Sequence, residues 1–221
     1  MEAGQKIIIA DDHPLFRAAL KQAVNQAVPL VQVVEADTLE AVQEAAAAHA
    51  DADLILLDLH MPGASGFSGL VYLRGTHPDI PVVVVSGSEE PQVIRKAMDY
   101  GASGFIPKSS PLDTIASAIN SVLDGEEWLP VAIDDLEDQV TEEDVAFAQA
   151  LATLTPQQFR VLMMLTEGLL NKQIAYELNV SEATIKAHVT AILRKLGVHS
   201  RTQAVIAASR LLVDKPKTEL E

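Results

Sequence analysis

Residues 6–14 read KIIIADDHP, and residues 53–63 read DLILLDLHMPG. Each is a short apolar run that stops abruptly at carboxylates, the pattern of a buried strand ending at a polar sheet edge. Working outward, Val31–Ala36, Val82–Ser86 and Gly104–Pro107 give three more runs of the same kind, beside Lys6–Ala10 and Asp53–Asp58. The runs do not alternate strictly, which suits a parallel sheet buried on both faces. Between them, Leu15–Gln26, Thr38–His49, Gly66–Gly75, Pro91–Tyr100 and Pro111–Asp124 carry helical spacing. Five strands alternating with five helices predict a doubly wound α/β domain, with functional residues at the carboxyl ends of the strands.

The chain has 221 residues, 48% hydrophobic and 21% charged, with no cysteine. That excludes wholesale disorder, a disulfide scaffold, thiolate metal sites and a cysteine nucleophile. No apolar run reaches the roughly 20 residues of a membrane helix, and Asp11 and Asp12 come too early for a signal peptide. A soluble cytoplasmic protein is expected. The net charge of −15 is unevenly spread. Residues 1–130 hold 7 Lys/Arg against 18 Asp/Glu, residues 131–150 hold none against 7, and residues 151–221 hold 9 against 6. An acidic module, an acidic connector and a mildly basic module follow one another. The expected domains are 1–130, a linker with a short helix at 131–153, and 154–221.

Asp11 and Asp12 follow the first strand, Asp58 closes the third, Ser86 ends the fourth and Lys108 follows the fifth. A single Asp at a strand end is unremarkable; three carboxylates, a hydroxyl and an ammonium on one edge call for an explanation. Carboxylates held together repel and want a hard cation, and Mg²⁺ takes such oxygen ligands. A carboxylate beside that metal can attack phosphorus and hold an acyl phosphate. Lys108 and Ser86 then balance and hydrogen-bond the phosphoryl oxygens. The rings of His13 and His60 are read as capping a turn or tuning solvent access in preference to ligating metal.

The segments DDHP at 11–14, DLHMPG at 58–63, SG at 86–87 and GFIPKS at 104–109 resemble the receiver domain of bacterial two-component response regulators. The resemblance implies Asp58 as phosphoacceptor, with Asp11, Asp12 and the His60 backbone carbonyl completing the Mg²⁺ site. It implies Ser86 and Phe105 as a switch pair, and Lys108 as the phosphoryl contact. Ser65 departs from the Asp common in relatives, at a position without catalytic duty.

Downstream, Thr155-Pro156-Gln157-Gln158 is a helix start, with Thr as N-cap and Pro at the first turn. Gly168 ends that helix, and a second spans about Asn171–Leu178. Asn179-Val180-Ser181 makes a tight turn into a third helix from Glu182 to Leu196, giving a helix-turn-helix. Ile185, Val189, Ile192, Leu193 and Leu196 form its apolar face, with small and basic residues opposite. Periodicity alone fits a solvated helix in an ordinary bundle equally well; the positive segment in an acidic chain favours DNA.

Residues 154–205, from LTPQQF to RTQAV, resemble the LuxR-type helix-turn-helix of NarL/FixJ-class response regulators. The resemblance implies that Lys186, Ala187 and Thr190 face base edges, while Lys172, Thr184, His188 and Lys195 turn toward phosphates, with Arg194 on the same basic face. Relatives normally carry Glu in the segment that here reads Gln157-Gln158-Phe159-Arg160, and Thr190 stands where some of them carry a basic residue. A fourth helix over Ala204–Val213 offers Ala204, Ala208, Leu211 and Leu212 as a dimer seam. The expected protein is a non-enzymatic regulator, phosphorylated by a sensor histidine kinase and dimeric on double-stranded DNA. The competing class is an Mg²⁺-dependent phosphohydrolase with an Asp nucleophile. It lacks the Asp general acid two residues past Asp58, where His60 stands. The linker is either a spacer extended by self-repulsion or, through Asp134, Asp135, Glu137 and Asp138, a competitor for the basic face.

Overall fold

The computed structural model describes residues 4–64, 66–130 and 141–211. Five strands form one parallel sheet: β1 (Lys6–Ala10), β2 (Gln32–Ala36), β3 (Leu54–Asp58), β4 (Val82–Ser86) and β5 (Gly104–Pro107), in spatial order β2-β1-β3-β4-β5. Helices α1 (Pro14–Ala27), α2 (Leu39–Ala48), α3 (Ser68–Thr76), α4 (Pro91–Asp99) and α5 (Leu112–Leu123) alternate with them. The two faces of the sheet sort by residue parity. Ile7, Ile9, Leu54, Leu56, Val83, Val85 and Ile106 pack with α1 and α5. Ile8, Ala10, Ile55, Leu57, Val82, Val84 and Phe105 pack with α2, α3 and α4. Both faces are covered, which is why these strands are almost continuously apolar.

Five further helices follow: α6 (Glu142–Ala152), α7 (Pro156–Thr166), α8 (Asn171–Glu177), α9 (Glu182–Lys195) and α10 (Arg201–Ser209). Reciprocal capping boxes start two of them, Thr141 with Asp144 and Thr155 with Gln158. Gly168 at φ +85° and Asn179 at φ 52° make the left-handed turns that separate α7, α8 and α9. The Ser181 hydroxyl accepts from the Thr184 amide and starts α9. The linker helix starts at Glu142, where Thr141 caps it, and one expected boundary moves: α10 starts at Arg201 and not at Ala204, because the Ser200 hydroxyl accepts from the Gln203 amide.

The apolar core on the α2–α3–α4 side runs on without a break into α6–α10, so the helical domain is built onto that side of the sheet. The Tyr72 and Phe159 rings meet edge-on with centroids 4.9 Å apart. The Phe67 amide donates to the Leu211 carbonyl at 2.8 Å, and the Lys96 ammonium donates to the Arg210 carbonyl at 2.8 Å. Arg160 ties α7 to Glu40 of α2 at 2.7 Å.

The expected dimer seam is corrected by this packing. Ala204, Ala208 and Leu211 are buried in the chain's own core, where α10 lies against α7 and α9, and offer no surface to a second copy. Leu212 lies outside the described residues, as do Ser65 and the linker carboxylates Asp134, Asp135, Glu137 and Asp138.

Candidate functional site

Parallel strands all end on the same edge, and that edge gathers the acidic cluster. Asp11 follows Ala10 of β1 and is fully buried; Asp58 is the last residue of β3, and Ser86 the last of β4. Ligand-capable atoms of Asp11, Asp12, His13 and Asp58 lie within 4.8 Å of one another. Lys108, just past β5, sets its ammonium 2.7 Å from Asp11 Oδ2 and 2.8 Å from Asp58 Oδ2. Burial alone works to lower the Lys108 pKa, but the charges of Asp58 and Asp11 outweigh it and hold the ammonium above the ordinary lysine value. The same ammonium stands 4.8 Å from the centre of the Phe16 ring.

Backbone amides orient the carboxylates. The His13 amide donates to Asp11 Oδ1 at 2.7 Å, and the His60 amide donates to Asp58 Oδ1 at 3.1 Å. Ser86 Oγ accepts from the Ser88 amide at 3.1 Å, leaving its hydroxyl hydrogen available to a ligand. Phe105 is fully buried in the core beneath this edge. Of the two roles expected for the ring of His13, capping is not the one observed. Its backbone is the N-cap of α1, yet its ring makes no cap and lies 2.7 Å from Asp12 Oδ1. The hard oxygen donors of Asp11, Asp12 and Asp58 fit Mg²⁺, whose preference is for such ligands.

Over the helical domain, Lys172, Thr184, Lys186, Ala187, Thr190 and Arg194 are exposed, and His188 is half-buried. Lys186 is held by Glu182 at 3.0 Å, one turn back on α9, and the Thr190 hydroxyl donates to the Lys186 carbonyl. The Thr184 hydroxyl is 2.8 Å from that of Ser181. Lys195 is not free for phosphate: its ammonium donates to the Thr153 carbonyl at 2.6 Å and to Gln158 Oε1 at 2.7 Å, tying the end of α9 to the start of α7. The receiver lies against α6, α7 and the end of α10, and among the described residues nothing covers the outer face of α9.

Residues 7–120 match the response regulator receiver domain family, and residues 152–208 match the LuxR family of bacterial regulatory proteins. The chain is a response regulator. Similar proteins include the glycerol metabolism activator of Pseudomonas putida, 46% identical over 92% of this chain and 94% of that one. The nitrate/nitrite response regulator NarL of Escherichia coli K12 is 33% identical over 90% and 93%. Among solved structures, RcsB of Salmonella enterica serovar Typhimurium, bound to a promoter in the presence of phosphomimetic BeF3⁻, is 25% identical. It covers 94% of this chain and 98% of its own, with a TM-score of 0.54. This response regulator therefore joins a receiver to a LuxR-type DNA-binding domain, the architecture of a transcriptional regulator in the NarL/FixJ class. No helix among its described residues is long and apolar enough to cross a membrane.

Proposed function

We propose that Asp58 accepts a phosphoryl group from a sensor histidine kinase and that the phosphorylated protein binds DNA as a dimer through α9. The convergence of Asp11, Asp12, Asp58 and Lys108 at one sheet edge carries this reading. An Asp58 carboxylate oxygen attacks phosphorus as the bond to the phosphohistidine nitrogen breaks, and the electron pair returns to the imidazole. Asp11, Asp12, Asp58 and the His60 carbonyl would hold Mg²⁺, which would offset the negative charge of the phosphoryl oxygens. Lys108 moves from its two carboxylates to a phosphoryl oxygen, and the Ser86 hydroxyl donates to another. Drawing Ser86 inward makes room beside Phe105, and the motion passes to α4, whose Lys96 holds the end of α10.

On the output side, Lys186, Ala187 and Thr190 face base edges, and Lys172, Thr184, His188 and Arg194 serve the phosphates. Among the described residues the α9 face is exposed, which supports control through pairing of two copies over a two-fold site. The protein works in the cytoplasm as a regulator and not as an enzyme; His60 stands where a phosphohydrolase of this chemistry needs a general acid. Incubation with acetyl phosphate and Mg²⁺ tests the assignment. The parent takes up one acid-stable, hydroxylamine-labile phosphoryl group, and Asp58→Asn takes up none. Undiminished labelling of Asp58→Asn would overturn it.

A further inference from the structure

A cleft of about 590 Å³ lies between the receiver and the helical domain, a size ordinary for small-molecule sites. Its walls come from α2 and the loop after β3 on one side, and from α7 and the turn between α8 and α9 on the other. Leu39, Phe159, Met163 and Met164 supply apolar lining, with thioethers that adapt to varied shapes. One lining side chain stands out. Gln43 is only 7% exposed, and its Nε2 has no hydrogen-bond partner among the described residues. A buried amide N–H without an acceptor is costly to the fold, and one that lines a cleft is placed to donate to whatever enters it.

The charges around the cleft narrow the chemistry. Arg160 at its rim is already engaged by both carboxylate oxygens of Glu40, at 2.8 and 2.7 Å. Glu167 and Glu177 also line it, so the remaining field repels anions. The floor is tied to the phosphorylation loop: the Leu39 amide donates to the Pro62 carbonyl at 3.0 Å, four residues past Asp58.

We propose that this cleft binds a small uncharged molecule, apolar except for one hydrogen-bond-accepting oxygen of the ketone kind, which accepts from the Gln43 side-chain amide. Such a ligand touches α2 and α7 together and holds the two domains in their present contact. The chain binds it without a phosphoryl group on Asp58.

The test is an NMR titration of the full chain with acetophenone, ethylbenzene and benzoate, following the Gln43 side-chain amide and the Met163 and Met164 methyl signals. Acetophenone is expected to give saturable shifts at all three, with at least about fivefold tighter binding than ethylbenzene or benzoate. Gln43→Leu removes the preference for the ketone over the hydrocarbon. Met164→Trp, which fills the cleft from its rim, weakens both and keeps the readout should Gln43→Leu not fold. Equal binding of ketone and hydrocarbon to the parent, tighter binding of benzoate, or shifts that bypass the Gln43 amide would overturn the proposal.

Discussion

A methyl group on Gly75 would stand 2.1 Å from the Ala152 Cβ, so α3 of the receiver and α6 meet at backbone distance. No side chain other than hydrogen fits at Gly75 while that contact holds. The close approach joins the two domains independently of the Arg160–Glu40 ion pair and of the Lys96 contact to the Arg210 carbonyl.

Gly75→Ala is therefore expected to destabilise the full chain by about 1–3 kcal/mol, the range for overpacking, although alanine is the better helix former. Adding Ala152→Gly should restore part of the loss, because it removes the methyl that Gly75→Ala meets. Urea denaturation of the two single variants and the double variant measures the coupling. Strictly additive effects would mean that the helices separate instead of clashing.

Tyr100 probes the same interface by pH. Its ring lies 5.5 Å from that of Phe67, and its hydroxyl has no hydrogen-bond partner among the described residues. Burial, reinforced by the Asp144 carboxylate, pushes its pKa up to about 12. A raised phenol pKa favours the protonated folded form, so this stability is whole below about pH 10 and is lost as pH climbs toward 12. Tyr100→Phe should flatten that alkaline loss in thermal melts. At pH 7 it should cost nothing or add up to about 1 kcal/mol, since an unpartnered buried hydroxyl disappears.

Lys108 neutralises two buried carboxylates. Lys108→Met leaves Asp11 and Asp58 facing each other without a cation, and stability without Mg²⁺ should fall by about 3 kcal/mol or more. Millimolar Mg²⁺ should restore much of it by mass action, giving this variant a larger Mg²⁺-dependent rise in melting temperature than the parent. An identical rise in both would remove Asp11 and Asp58 from the metal site.

On the DNA side, Lys186→Ala should weaken binding to the specific site by about 1–3 kcal/mol, the range for a good base contact. Lys172→Ala should weaken all sequences alike and lower the salt slope by about one. Lys195→Ala should act differently from both: with its ammonium bound to Thr153 and Gln158, the main effect falls on the melting temperature.

The sheet was legible because a buried parallel strand must be a short apolar run, and because strand ends on one edge bring Asp11, Asp58, Ser86 and Lys108 together whatever the loops do. The helix-turn-helix was legible through its caps and through Asn179. Apolar spacing on α10 does not reveal which surface it meets, so Ala204, Ala208 and Leu211 read as a seam between copies when they fill the chain's own core. Lys195 shows a similar limit, since a cation at a helix end serves a carbonyl as readily as a phosphate, and here it is bound to Thr153 and Gln158. Gly75 read as the end of its helical stretch, where glycine is ordinary, so its close approach to Ala152 was not legible; the helix runs on to Thr76. Nothing in the sequence marks Gln43, whose isolation depends on distances between elements far apart in the chain.

On the proposed function, phosphorylation at Asp58 promotes paired binding of DNA. Its most direct measurement is titration of a two-fold operator with the full chain, with and without acetyl phosphate and Mg²⁺, while the mass of the complex is followed by light scattering. Phosphorylation is expected to tighten the binding of two chains per operator by about tenfold or more, with no change for Asp58→Asn. Equal affinity and stoichiometry for phosphorylated and unphosphorylated protein would contradict it.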